Sequence, residues 1–218
     1  RIAELVRRIV GTDIRTVVTD AIRRPLGLRW MNFGVAPEEV GEVAMNYLTG
    51  PPLPAVVRAI FRRVLGIEYG DLPAISNDPR FLTGIIPSAN LVATAGEMAR
   101  FYQLLLAGGS LDGVRVFDVR TVARATAEQT YMEFDRSLGM PIRYSLGFML
   151  GARWLSLYGP GTEGAFGHLG FTNIITWADP KRQVAAALLT SGKPFVYPAI
   201  YDLIDIPRRI GLACPPVD

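Results

Sequence analysis

The chain has 218 residues, half of them hydrophobic and a fifth charged, with 22 glycines, 16 prolines and one cysteine. That composition excludes a disordered tail, which is polar and poor in aromatics, and a small disulfide scaffold, because Cys214 has no second cysteine to pair with. The net charge of +3 comes from arginine, lysine occurring only at Lys181 and Lys193, and no run approaches the ~18 consecutive apolar residues of a transmembrane segment.

Ile2, Leu5, Val6 and Ile9 share helical spacing, and Gly11 can stop that helix. Asp13 can cap a second helix that runs to about Arg24 and ends at Pro25-Leu26-Gly27. Residues 29–53 read as irregular, with Pro37, Gly50, Pro51 and Pro52 as breakers. Residues 54–65 predict an amphipathic helix that starts at a proline and ends at Gly66. Residues 66–92 read as loop-rich. A strong helix starts at Thr94 or Ala95 and runs to Leu106, where Gly108-Gly109 serves as a stop signal and not as a phosphate loop. A short helix is predicted from Asp118 to about Ala127. The arginine doublets at Arg7-Arg8, Arg23-Arg24, Arg62-Arg63 and Arg208-Arg209 read as solvated helix positions, so no nucleic-acid partner is expected.

Near residue 142 the pattern changes. Residues 144–150 read as one strand, 158–161 as a turn-rich loop, 164–177 as a glycine-punctuated apolar run, and 183–190 as a buried strand after the Asp179-Pro180-Lys181 turn. These predict a meander of three antiparallel strands, closed by a helix over about 198–210. Helices first, antiparallel strands next and a terminal helix last make an α+β arrangement.

Few residues offer chemistry. One histidine and one cysteine do not make a zinc or iron site, and no metal is expected. Neither G-x-G-x-x-G after a strand nor G-x-x-x-x-G-K-[ST] occurs, so no cofactor is expected. No serine sits in G-x-S-x-G or has a lysine three positions on. Cys214, between Ala213 and Pro215, reads as an unpaired tail cysteine in preference to a partner of His168. His168 is the most informative residue. It lies in Phe166-Gly167-His168-Leu169-Gly170-Phe171, inside a charge-free stretch, and flanking glycines let another group approach the backbone. On spacing alone it is either a satisfied core histidine or a site residue.

Residues 164–193 resemble the C-terminal strands of the serine β-lactamase-related hydrolases, a family of class C β-lactamases, D-Ala-D-Ala peptidases, esterases and lipases. His168-Leu169-Gly170 matches the third family motif, K-T-G, in the H-x-G form of esterase-like members. Residues 85–109 resemble the stretch in which S-T-A-x-D leads into a helix ending in Gly-Gly, and Pro25-Leu26-Gly27-Leu28 resembles the family's P-L-G-M. The resemblance covers nearly the whole chain. It implies a β-lactamase/transpeptidase-like α+β fold, with residues 1–140 mainly the helical part and 141–218 the strands and closing helix of a single domain. The nucleophile motif S-x-x-K and the relay motif Y-x-N do not occur, so the chain looks like the C-terminal portion of such a hydrolase. Missing strands are expected to leave an unpaired sheet edge and an apolar face.

By the same resemblance, the backbone N–H of Phe171 forms half of an oxyanion hole, and His168 takes the place of a lysine. An imidazole there replaces a permanent cation with a side-chain type whose charge changes near neutral pH. Loss of the lysine disfavours anionic substrates, which points to a small neutral ester. Leu169, Gly170 and Tyr158 are the expected substrate contacts. A β-lactamase or D-Ala-D-Ala peptidase, and a non-catalytic binding protein of the same fold, stand as alternatives. Cysteine scarcity is compatible with the cytoplasm, and nothing in the sequence speaks to oligomeric state.

Overall fold

A computed structural model of the chain describes residues 2–136, 140–170, 173–194 and 199–217. Helix α1 (Ile2–Val10) leads to α2 (Ile14–Val18), where Asp13 caps the first turn by accepting from the Thr16 N–H at 2.9 Å. A short π-helical stretch (Thr19–Arg23) continues α2 to the Pro25 break. The segment expected to be irregular contains two two-residue strands, β1 (Asn32–Phe33) and β2 (Tyr47–Leu48), around a 3-10 helix (Pro37–Glu42). Helix α3 (Ala55–Leu65) ends on Gly66 in the left-handed region, as its sequence predicts. The loop-rich stretch holds two helical turns, α4 (Leu72–Ser76) and α5 (Pro79–Thr83), each with a proline in the first turn, and then β3 (Leu91–Val92), which pairs with β1.

Helix α6 (Ala95–Leu106) is the element most completely specified by its sequence. Thr94 accepts from the Glu97 N–H at 3.1 Å, and Glu97 returns the bond by accepting from the Thr94 N–H at 2.9 Å. The other Glu97 carboxylate oxygen accepts from the N–H groups of Arg29 and Trp30, at 2.6 and 2.7 Å. One buried side chain therefore caps α6 and fastens the Pro25–Leu28 segment to it, and Leu26, Leu28 and Met31 pack with Leu104 beside that anchor. A tight hairpin of β4 (Ser110–Leu111) and β5 (Val114–Arg115) follows, then α7 (Val119–Thr126), capped by Asp118.

Among the described residues the main sheet has six strands in sequential order, not the three expected. These are β6 (Thr130–Asp135), β7 (Met140–Tyr144), β8 (Met149–Leu150), β9 (Phe166–Gly170), β10 (Ile174–Asp179) and β11 (Val184–Leu188), each antiparallel to its neighbour. Residues 144–150 are not one strand. The Ser145 N–H donates to the Phe148 carbonyl and the Phe148 N–H donates to Ser145 Oγ, folding a turn through Gly147, whose φ is +129°. The chain thus reverses between β7 and β8. The sheet already begins at β6, where a register shift between Thr130 and Glu133, with Met132 at φ +48°, breaks the alternation that would have marked a strand. A last short strand, β12 (Gly192–Lys193), pairs in parallel with β2, and α8 (Ala199–Ala213) closes the chain.

Alternation along the central strands sorts their side chains into two cores. Phe166, Ala178 and Ala185 face α6 and α7, packing with Tyr102, Leu105 and Val122. Ala165, Ile175 and Trp177 face α8, packing with Tyr158, Leu203 and Ile210. Asp179, 2% exposed, pairs with Arg182 at 2.8 Å, and the same guanidinium donates to the carbonyls of Gly161 and Gly211, tying the β10–β11 turn to the preceding loop and to α8. No helix among the described residues is long and apolar enough to cross a membrane.

Candidate functional site

The six-residue motif around His168 builds β9 and the start of the turn after it. Gly167 is required by packing, because a Cβ there would lie 2.1 Å from the Thr176 carbonyl oxygen and 2.6 Å from the Trp177 Cβ. The close approach of β9 to β10 thus depends on glycine at this position. His168, one residue on, is exposed, on the face that β9 turns toward α6. It stands opposite Thr176 in the register, and Thr176 Oγ1 donates to Tyr102 Oη of α6 at 3.1 Å.

The β9 ladder is asymmetric. All five residues pair with β10, but β8 reaches only Phe166 and Gly167. From His168 to Gly170 no described strand occupies the other edge, so backbone donors and acceptors there remain open to an extended ligand. Gly170 is exposed on this stretch, and a side chain at that position would collide with Ile174. His168 Nδ1 lies 2.5 Å from the Leu169 carbonyl oxygen. Donation to that acceptor places the proton on Nδ1 and leaves Nε2 as the free ring nitrogen.

Two of the expected substrate contacts lie elsewhere. Tyr158 is a core residue, 1% exposed, stacked on Trp177 at 6.0 Å, with its phenol donating to the Met149 carbonyl at 3.0 Å. Burial pushes its ionisation well above that of an ordinary tyrosine. Leu169 packs into the cluster under α8, on the face opposite His168. Neither lines the surface that carries the histidine. Phe171 lies outside the described residues. The structure therefore brings together His168, Gly170 and the free half of β9.

Lys193 is a residue the sequence reading passed over. It is buried, its Nζ donates to the Thr190 carbonyl at 2.7 Å, and burial lowers its pKa. Thr190 Oγ1 in turn donates at 2.9 Å to the carbonyl of Asn173, in the turn that joins β9 to β10. The Lys193 carbonyl accepts from the Tyr69 phenol at 2.5 Å. The signal available in the sequence was that this is one of only two lysines.

The sequence pattern of the Beta-lactamase family matches residues 2–205. The chain belongs to the Beta-lactamase family. Among curated proteins it is 30% identical over 196 residues to the esterase/beta-lactamase LipL of Mycobacterium tuberculosis H37Rv, covering 85% of this chain and 44% of that protein. It is 26% identical over 197 residues to a putative D-alanyl-D-alanine carboxypeptidase of Escherichia coli K12, covering 87% and 42%. The chain therefore spans less than half the length of these relatives. A penicillin-binding protein homologue from Caulobacter crescentus superposes with a TM-score of 0.75 at 27% identity, over 97% of this chain and 55% of that one. A family VIII carboxylesterase, at 23% identity, shares the fold with a TM-score of 0.69 over 95% and 55%. Helices, an antiparallel sheet and a C-terminal helix are thus the expected β-lactamase/transpeptidase-like arrangement.

Proposed function

We propose that this chain supplies the substrate-facing third motif of a serine hydrolase that works through an acyl-enzyme on neutral carboxylic esters. The observation that carries the reading is His168, exposed on the unpaired half of β9 at the position where the K-T-G form of the motif has lysine. The nucleophilic serine with its S-x-x-K lysine, and the Y-x-N relay, are assigned to chain outside these 218 residues. Likeness to LipL, an esterase/beta-lactamase, supports the assignment.

In the proposed step a base takes the serine proton as the serine oxygen bonds to the ester carbonyl carbon and the C=O electrons move onto oxygen. Those electrons then re-form C=O as the C–O bond to the alkoxide breaks, and the alkoxide leaves with that proton, giving the acyl-enzyme. In this reading the Phe171 N–H is a donor for the oxyanion, and Gly170 keeps a side chain out of the ester's path. With its Nδ1 proton engaged by Leu169, His168 offers Nε2 to the ester without the fixed positive charge that a carboxylate-bearing lactam or peptide exploits.

The test is a protein carrying this segment together with an upstream S-x-x-K and Y-x-N, assayed on p-nitrophenyl esters and on β-lactams. Ester turnover should exceed lactam turnover, and His168→Lys should move the ratio toward the anionic substrates. Lactam preference in the wild type would favour the β-lactamase or peptidase reading. Unchanged rates for both substrates in His168→Lys would remove His168 from the site. The 218-residue chain alone should not react with a fluorophosphonate, and stoichiometric labelling of one of its serines would overturn the assignment of the nucleophile.

A further inference from the structure

A cavity of about 150 Å³ opens between α2, its π-helical continuation and the loop that follows Arg29, and it shares no residue with β9. Its charged lining is Arg15, Arg23, Arg29 and Glu39, with Trp30 and Asn32 among the walls. Among the described residues none of these three arginines pairs with a carboxylate. Glu39 is committed to the Ala36 N–H, which it accepts at 3.2 Å.

The cavity is built, not left over. Arg15 is anchored by three backbone carbonyls, donating from Nε to Phe33 at 2.7 Å and from Nη2 to Thr83 at 2.7 Å and Gly84 at 3.0 Å. That leaves Nη1 without a protein acceptor among the described residues. The guanidinium fits because residue 34 is a glycine: a Cβ there would stand 2.8 Å from Nη2. Asn32, 2% exposed, donates to the Arg15 carbonyl at 3.1 Å and to Thr19 Oγ1 at 2.8 Å, which fixes one wall. Arg29 is stacked 4.5 Å from the Trp30 ring centroid, and its backbone is held by Glu97. Arg23 makes no side-chain hydrogen bond within the described chain.

Three guanidinium groups around one small space repel one another unless an anion enters. Set against the single carboxylate of Glu39, they leave a surplus of two positive charges, and the planar guanidinium fork matches tetrahedral oxyanions bidentately. We propose that this cavity binds a phosphoryl dianion, either inorganic phosphate or the phosphate head of a small soluble monoester. Arg15 is the fixed donor, and Arg23 and Arg29 close over the anion from the two sides.

The experiment is isothermal titration of the purified protein with inorganic phosphate and, separately, with glycerol 3-phosphate, at constant ionic strength against a chloride reference. Arg23→Gln and Arg29→Gln are the variants, chosen because neither guanidinium hydrogen-bonds to the fold, while Arg15 is spared as a structural anchor. Saturable phosphate binding is expected, weakened about tenfold or more by each variant. Equal affinity for the two titrants assigns the site to free phosphate, and tighter binding of the ester assigns it to a monoester head. Absence of saturable heat beyond the chloride reference overturns the proposal, and so does phosphate affinity unchanged in both variants. The wild-type titration decides the matter even if a variant misfolds.

Discussion

Thr176 stands directly across the β9–β10 ladder from His168, and its hydroxyl donates to the Tyr102 phenol of α6 at 3.1 Å. The exposed histidine is thus backed by a buried polar contact between sheet and helix. Thr176→Val removes the bond and keeps the side chain's shape. A net loss of about 1 kcal/mol in unfolding free energy is expected, read from a lower urea midpoint with unchanged m. A loss within error would mean that the bond contributes nothing to the joint.

Tyr102 should make the protein sensitive to alkali. Burial in the aromatic cluster beside Phe148 and Phe166 pushes its pKa up to about 12 from the ordinary 10, against a small opposing effect of the Thr176 bond. The neutral phenol is favoured in the folded state, so this stability is fully present below pH 10. It is lost between pH 10 and 12 as the unfolded chain ionises first, at about 1.4 kcal/mol per pH unit per proton. Urea unfolding from pH 8 to 11.5 should show a plateau and then a decline. Tyr102→Phe should flatten the decline in part, since Tyr158 is shifted in the same direction by its own burial. An identical slope in the variant would assign the effect elsewhere.

The two glycines of the β9 motif should respond differently to alanine. At Gly167 the new methyl meets backbone on β10, which cannot move without opening the ladder, so a loss of about 3 kcal/mol or more is expected. At Gly170 it meets only the Ile174 side chain, and about 1 kcal/mol is expected. Thermal unfolding of the two variants measures the contrast. In an active enzyme Gly170→Ala should lower kcat/KM on esters far more than its stability loss explains.

Asp179→Asn leaves the Arg182 guanidinium, whose side chain is 12% exposed, without its carboxylate while two carbonyl acceptors remain. Breaking a buried pair in this way costs about 3 kcal/mol. The matched replacement of both partners by apolar residues should cost less, and a double-mutant cycle in urea measures the difference.

Much of the helical part was legible because its signals are local. Thr94 and Glu97 sit three residues apart at the start of an apolar period, and Asp13, Asp118 and Gly66 mark ends that the structure reproduces. Half of the sheet was not legible. The bulge near Met132 breaks alternation in β6, and the Ser145–Phe148 turn hides two strands inside one apolar run. Of the candidate site, the exposed position of His168 was legible, but the placement of Leu169 and Tyr158 away from its surface was not. Alternation alone would have turned Leu169 away from the face of His168, and the stacking of Tyr158 on Trp177 depends on a loop path that no local pattern encodes.

Because every strand of the sheet pairs with the one before it in the chain, its assembly closes no loop longer than the β8–β9 connection. Short closures carry little entropy cost, so the sheet can grow hairpin by hairpin in the order of synthesis. One long-range step is the docking of α6 onto β10 and β11. Since residues facing α6 include Thr176 opposite His168, the surface that carries the histidine is complete only once that docking has occurred. A folding intermediate with a paired sheet and an undocked α6 would already hold β9 but not yet its backing.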